Sequence, residues 1–214
     1  MSDKKSAKRQ KFLDAARRIF SDKGFQATNV TDIVSEVKSG QGTFYYHFKD
    51  KQAIFDELML EFLGRLAQVV ADNDIRDAGR LALSHREPAI DNARRIAGVF
   101  FDNIDTARLF FRESRYVGGE AMERINQYYE LLYAQIEDGI RQGLQEGSVR
   151  TGTDPFIASR CYVGATEKVI YEILRTGRPV DINKIAEQIV DFQSIGILTR
   201  SAGDNRPAGD NTQE

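Results

Sequence analysis

Gln41-Gly42-Thr43-Phe44-Tyr45-Tyr46-His47-Phe48-Lys49-Asp50-Lys51 is too polar and too aromatic at once to be ordinary core. Phe44 and Phe48 stand four apart, so a helix would bring them to one face and pin it to the body beneath. The opposite face would then carry Gln41, Thr43, Tyr45, Tyr46 and His47, with Lys49 and Lys51 close behind. Hydroxyls and lysines reach phosphates, and Gln and Thr side chains can bond base edges. The stretch is therefore predicted to be a DNA recognition helix. Gly40-Gln41-Gly42 looks like the start of a dinucleotide loop, but Tyr45 occupies the third glycine's place and no strand precedes it.

Upstream, the periodicity predicts a helix over 7–23, with Phe12, Ala15, Ala16, Ile19 and Phe20 as its core stripe and Gly24 as its stop. Thr28 fits as N-cap of a second helix over 29–37, with Val30, Ile33, Val34 and Val37 inward. The tight turn Lys38-Ser39-Gly40 leads into the third helix. Two short helices joined this way make a helix-turn-helix. Charge points the same way. Residues 1–51 hold 11 Lys/Arg against 6 Asp/Glu, a balance of +5, whereas residues 52–214 hold 19 against 26, a balance of −7. A basic head on an acidic body presents only the head to a polyanion.

The combined run Phe12-Leu13-Asp14-Ala15-Ala16, Phe20, Lys23-Gly24-Phe25, Ala27-Thr28, Val30, Asp32-Ile33 and 42–51 resembles the N-terminal domain of TetR-family regulators over residues 8–60. The resemblance implies an all-α homodimer that binds operator DNA and usually represses until a small molecule releases it. Carried over by position, it places Gln41, Thr43 and Tyr46 at bases or the adjacent backbone. It places Thr28, Tyr45, His47 and Lys51 at phosphates, and Thr31 where a longer residue sometimes reaches a base. The sequence departs from the family at the turn, where Lys38 stands in place of the usual glycine and Ser39 in place of an apolar residue.

Beyond the head, Asp50 is predicted to cap a helix over 51–73 built on Ile54, Phe55, Leu58, Phe62, Leu66, Val69 and Val70. A short helix is expected at 81–85. Others follow from Pro88 at N1 to 103, over 106–116, and over 120–146, where Gly139 and Gly143 suggest close packing of another helix. Asp154-Pro155 opens a helix to 174, residues 182–192 form the last one, and 201–214 reads as a disordered tail. The organisation expected is a helix-turn-helix domain over 1–50, a helical effector-binding and dimerisation domain over 51–200, and the tail.

Composition bounds the class. The 214 residues are 41% hydrophobic and 29% charged, enough to bury a core. One cysteine, Cys161, no apolar leader and no membrane-length apolar run suit a soluble cytoplasmic protein. Neither His47 nor His85 belongs to a metal motif, and no HExxH, GxSxG, P-loop or CxxC occurs, so neither metal, cofactor nor enzymatic activity is expected. A DNA-binding dimer without an effector, or a helical-bundle enzyme, are the alternatives; indifference to metabolites would favour the first and turnover the second. Dimerisation is expected through Ile157, Cys161, Gly164, Ile185, Ile189 and Phe192 on the last two helices. It would set two recognition helices about 34–36 Å apart, or a multiple, over a palindrome. The effector site is expected among Phe62, Phe101, Phe110, Tyr129, Tyr133 and Tyr162, with Arg112 at its mouth, suiting an apolar or aromatic acid.

Overall fold

The computed structural model describes residues 2–72 and 86–197, and it is all-α. The helices expected at 81–85 and the tail at 201–214 lie outside the described residues. The first helix, α1 (Ser2–Lys23), starts five residues before the expected position 7. Its Phe12, Leu13, Ala15, Ala16 and Phe20 are buried, and it stops at Gly24, whose φ of +86° only glycine adopts without strain.

The second helix, α2 (Val30–Glu36), is capped by Asn29 rather than Thr28. The Asn29 backbone N–H donates to the Asp32 carboxylate at 3.0 Å, half of a capping box that also holds the Asp32 carboxyl below its usual range. Thr28 is fully buried instead, and its hydroxyl donates to the Gly24 carbonyl at 2.8 Å. Helix α2 ends in a Schellman motif: Ser39 N–H bonds Val34 O at 2.9 Å and Lys38 N–H bonds Ser35 O at 3.0 Å. Lys38 holds the left-handed position at φ +49°, a conformation that costs an L-residue about 1–2 kcal/mol. The recognition helix α3 (Gln41–His47) follows from Gly40.

Asp50 accepts from Ala53 N–H at 2.8 Å and so caps α4 (Lys51–Asp72), as its sequence position suggests. Helix α5 (Arg86–Asp102) begins two residues before Pro88, which sits in a first turn where a missing N–H costs nothing. Helix α6 (Ile104–Glu113) and a 3₁₀ turn over Ser114–Tyr116 replace the single helix expected there. Helix α7 (Gly119–Glu146) ends at Gly147, with φ +76°. Gly143 does mark a close approach, but by the segment returning after the helix. A Cβ on Gly143 would stand 2.5 Å from Val149 Cγ2. Asp154 accepts from Phe156 and Ile157 N–H at 2.8 and 3.3 Å, starting α8 (Pro155–Thr176), and α9 (Ile182–Ile197) closes the described chain.

One core runs without interruption from Phe12 on α1 through Ile33, Phe44, Phe55, Phe62 and Phe110 to Ile170 and Leu174 on α8. It crosses residue 50, so α1 rests on α6 and α4 as well as on α2. Polar ties reinforce the crossing. The Arg112 guanidinium donates to Phe20 O (2.7 Å) and Ser21 O (3.0 Å), while Gln52 and Asp56 on α4 bond Tyr116 O and Gly118 N–H at 2.8 and 3.1 Å. Helix α9 leans mainly on α5, through Ala89, Ile90, Ala186 and Val190 and the Arg86–Asp191 ion pair at 2.8 Å. An apolar groove of about 750 Å³ is left between α8 and α9, lined by Val169, Ile173, Ile185, Ile189 and Phe192.

Candidate DNA-binding site

Phe44 and Phe48 anchor α3 as their spacing suggests. Both are buried, and both meet the Phe12 ring edge-on, at 5.6 and 6.4 Å between centroids. With that face fixed, Gln41, Thr43, Tyr45 and Tyr46 form the opposite one, all exposed; Tyr45 is 53% and Tyr46 67% accessible. Thr31 on α2 is exposed too. Each ring keeps one edge-on contact, Tyr45 with Phe44 and Tyr46 with His47, and turns its hydroxyl and most of its surface to solvent.

Helix α1 supplies cations that the sequence reading passed over. Lys5 lies over the Tyr46 ring at 4.8 Å, and Arg9 lies over Phe48 at 4.8 Å while pairing with Glu57 on α4. The extra N-terminal turns of α1 make this possible, and their signal was the i, i+3, i+4 spacing of Lys5, Lys8 and Arg9. His47 is half-buried beneath them. Its Nδ1 is buried without a hydrogen-bond partner, and burial together with Lys5, Arg9 and Lys8 holds the imidazole below its usual pKa.

Thr28 and Lys51 do not join this surface. The Thr28 hydroxyl is buried in its bond to Gly24, away from any phosphate. The Lys51 ammonium donates to the carbonyls of Phe25 and Thr28, both at 2.8 Å, and of Gln26 at 3.5 Å, and it lies 4.4 Å over the Phe25 ring. Three donors meet three carbonyls where the α1–α2 loop turns. Partial burial lowers the Lys51 pKa accordingly.

The expected effector residues divide. Phe62 and Phe110 are buried core, packed on Phe100 and on each other at 5.3 and 5.5 Å. Arg112 closes the last turn of α1 with its guanidinium; Arg108 bonds Leu174 O at 2.9 Å and Arg115 covers Tyr116. Phe101 and Tyr162 are half-buried, and burial pushes the Tyr162 phenol up to about 12. Tyr129 and Tyr133 stack 6.0 Å apart on α7, and Tyr129 donates to Glu167 on α8 at 2.6 Å. Burial raises the Glu167 pKa. The body's half-buried polar group among the tyrosines is thus a carboxylate that sequence spacing could not connect across 38 residues.

Of the expected dimer residues, Phe192 is 74% exposed, and Ile157, Cys161 and Gly164 are exposed along α8. Ile185 and Ile189 are half-buried and line the groove. Ile195, 80% exposed, extends the same apolar surface. Among the described residues no helix is long and apolar enough to cross a membrane.

A helix-turn-helix whose second helix turns its aromatic, hydroxyl-rich face to solvent, built into an all-α body, defines a DNA-binding regulator. Bacterial regulatory proteins of the tetR family match residues 12–58, and the tetracyclin repressor-like C-terminal domain matches residues 92–195. The chain belongs to the TetR family, and with it to transcriptional regulators rather than enzymes. It is 25% identical over 200 residues to the HTH-type transcriptional repressor KstR2 of Rhodococcus jostii (strain RHA1), covering 91% of this chain and 93% of that one. Two solved structures share the fold. The ketosteroid transcriptional regulator KstR2 of Mycobacterium tuberculosis superposes with a TM-score of 0.65 at 20% identity, over 90% of this chain and 95% of that one. AibR, in complex with isovaleryl coenzyme A and operator DNA, superposes with 0.64 at 15% identity, over 86% and 97%.

Proposed function

We propose that the protein is a homodimeric repressor that grips a palindromic operator with the exposed face of α3 and releases it when an apolar small molecule enters the body. The observation that carries this reading is the pair Tyr45 and Tyr46, more than half exposed on a helix whose Phe44 and Phe48 are locked beneath. Gln41 and Thr43 on the same face supply base-edge groups, Thr31 flanks them, and Tyr45, Tyr46 and His47 serve the backbone. The exposed apolar side chains along α8 and α9 support pairing of two copies through these helices.

For the effector, the stacked tyrosines around Glu167 favour an apolar molecule whose polar group donates a hydrogen bond, over the free acid that Arg112 would have held. One relative, described as a ketosteroid regulator, is in keeping with an apolar effector. Binding that displaces α4 would shift the two heads out of register with successive major grooves. A coupling of about 1–3 kcal/mol suffices for a 5- to 150-fold loss of operator affinity.

The deciding experiment selects genomic fragments on the purified protein and titrates one of them with candidate ligands. A palindromic fragment bound by a dimer, and released by a compound whose own affinity falls equally when operator is present, is the expected result. Binding of DNA that no compound alters leaves a repressor without an effector and ends the second half of the proposal.

A further inference from the structure

Six described residues hold a left-handed backbone, and five of them are glycines: Gly24, Gly119, Gly147, Gly152 and Gly177. The sixth is Lys38, at the C′ position of α2, in the turn that delivers α3. A glycine would close the same Schellman motif without strain. The lysine is also exposed and has no ion-pair partner among the described residues. The nearby carboxylates Asp32 and Glu36 pair with Lys23 and Arg18 instead. A strained backbone position carrying an exposed lysine with no ion pair among the described residues, three residues ahead of the recognition helix, points to a task outside the fold.

We propose that Lys38 contacts a DNA phosphate beside the recognition helix and fixes its register on the duplex. The inference rests on α3 being the DNA-reading helix. The ammonium is a compact charge on a flexible stem, suited to a phosphate oxygen and carrying no sequence information. It adds a cation to those that Lys5 and Lys8 on α1 bring near α3, and it supplies the phosphate contact for which the Lys51 ammonium, committed to loop carbonyls, is not free.

The test uses the full-length protein, random-sequence duplex DNA as probe, and a salt series, with thermal unfolding in parallel. Lys38→Gly removes charge and strain together, Lys38→Ala removes charge alone, and Lys38→Arg keeps the charge. Lys38→Gly is expected to unfold at higher temperature yet bind DNA more weakly, with the slope of log K against log salt reduced by about one unit. Lys38→Ala should lose the same slope with no gain in unfolding temperature, and Lys38→Arg should retain the slope. A Lys38→Gly protein that binds as well as the parent with an unchanged slope overturns the proposal and leaves the reading of α3 intact. A parent protein with no salt-dependent DNA binding overturns both.

Discussion

Lys51 and Tyr45 have opposite roles, although both are polar residues of one short stretch. Lys51 ties the α1–α2 loop by three carbonyls, so Lys51→Met is expected to destabilise the whole protein by on the order of 2 kcal/mol, since bonds to a charged donor are worth about 1.5–3 kcal/mol each before compensation. Chemical denaturation reads this, and the salt slope of DNA binding should stay at the parent value. Tyr45→Ala should do the reverse. Stability holds, because the ring is more than half exposed, and operator affinity drops by about 1–2 kcal/mol for a lost hydrogen bond and ring contact. His47 adds a pH dependence. Its folded pKa lies below the unfolded value, so the unfolded chain binds the proton more readily and stability falls as pH drops through the region just under 6.5. Denaturation midpoints between pH 5 and 7.5 should show this, with the loss removed in His47→Gln. The cations Lys5, Arg9 and Lys8 act on His47 in the same direction as its burial.

At the level of elements, helix positions were legible because burial in this fold follows the 3.6-residue period closely, as in Phe12, Ala16 and Phe20 or Ile54, Leu58 and Phe62. Caps were legible where a carboxylate sits beside the first turn, at Asp50 and Asp154. What failed were side chains whose partners are backbone carbonyls far along the chain. Arg112 reaches 92 residues back to Phe20 O, and no local pattern announces such a bond. Arg112→Ala should therefore loosen the end of α1, raising amide exchange at Gly24 and nearby residues while α8 keeps its protection. Gly143 is a close approach, but its neighbour is Val149 and not another helix, because a glycine reports missing space and not what fills it. Gly143→Ala drives a methyl into Val149, and overpacking of this kind is expected to cost about 1–3 kcal/mol, whereas Gly143→Ala with Val149→Ala should recover part of the loss.

On the scale of the whole molecule, the exposed Phe192 and Ile195 and the groove beside them are the surface through which two copies are proposed to pair. A charge at Ile189 or Phe192 should yield a folded monomer with much weakened operator binding, readable by sedimentation alongside DNA titration. A parent protein that sediments as a monomer at micromolar concentration would end the dimer reading. The uninterrupted core has a different kind of consequence, one for anyone wishing to re-target the regulator. A graft that exchanged only residues 1–50 would cut through the packing of Phe20 and Phe25 on Phe55, and would strip Arg112 of the carbonyls it closes. Hybrids of this chain should work only when the transplanted head brings along its own α4 face and α6, so the smallest interchangeable part is defined by a shared interior and not by a boundary in the sequence.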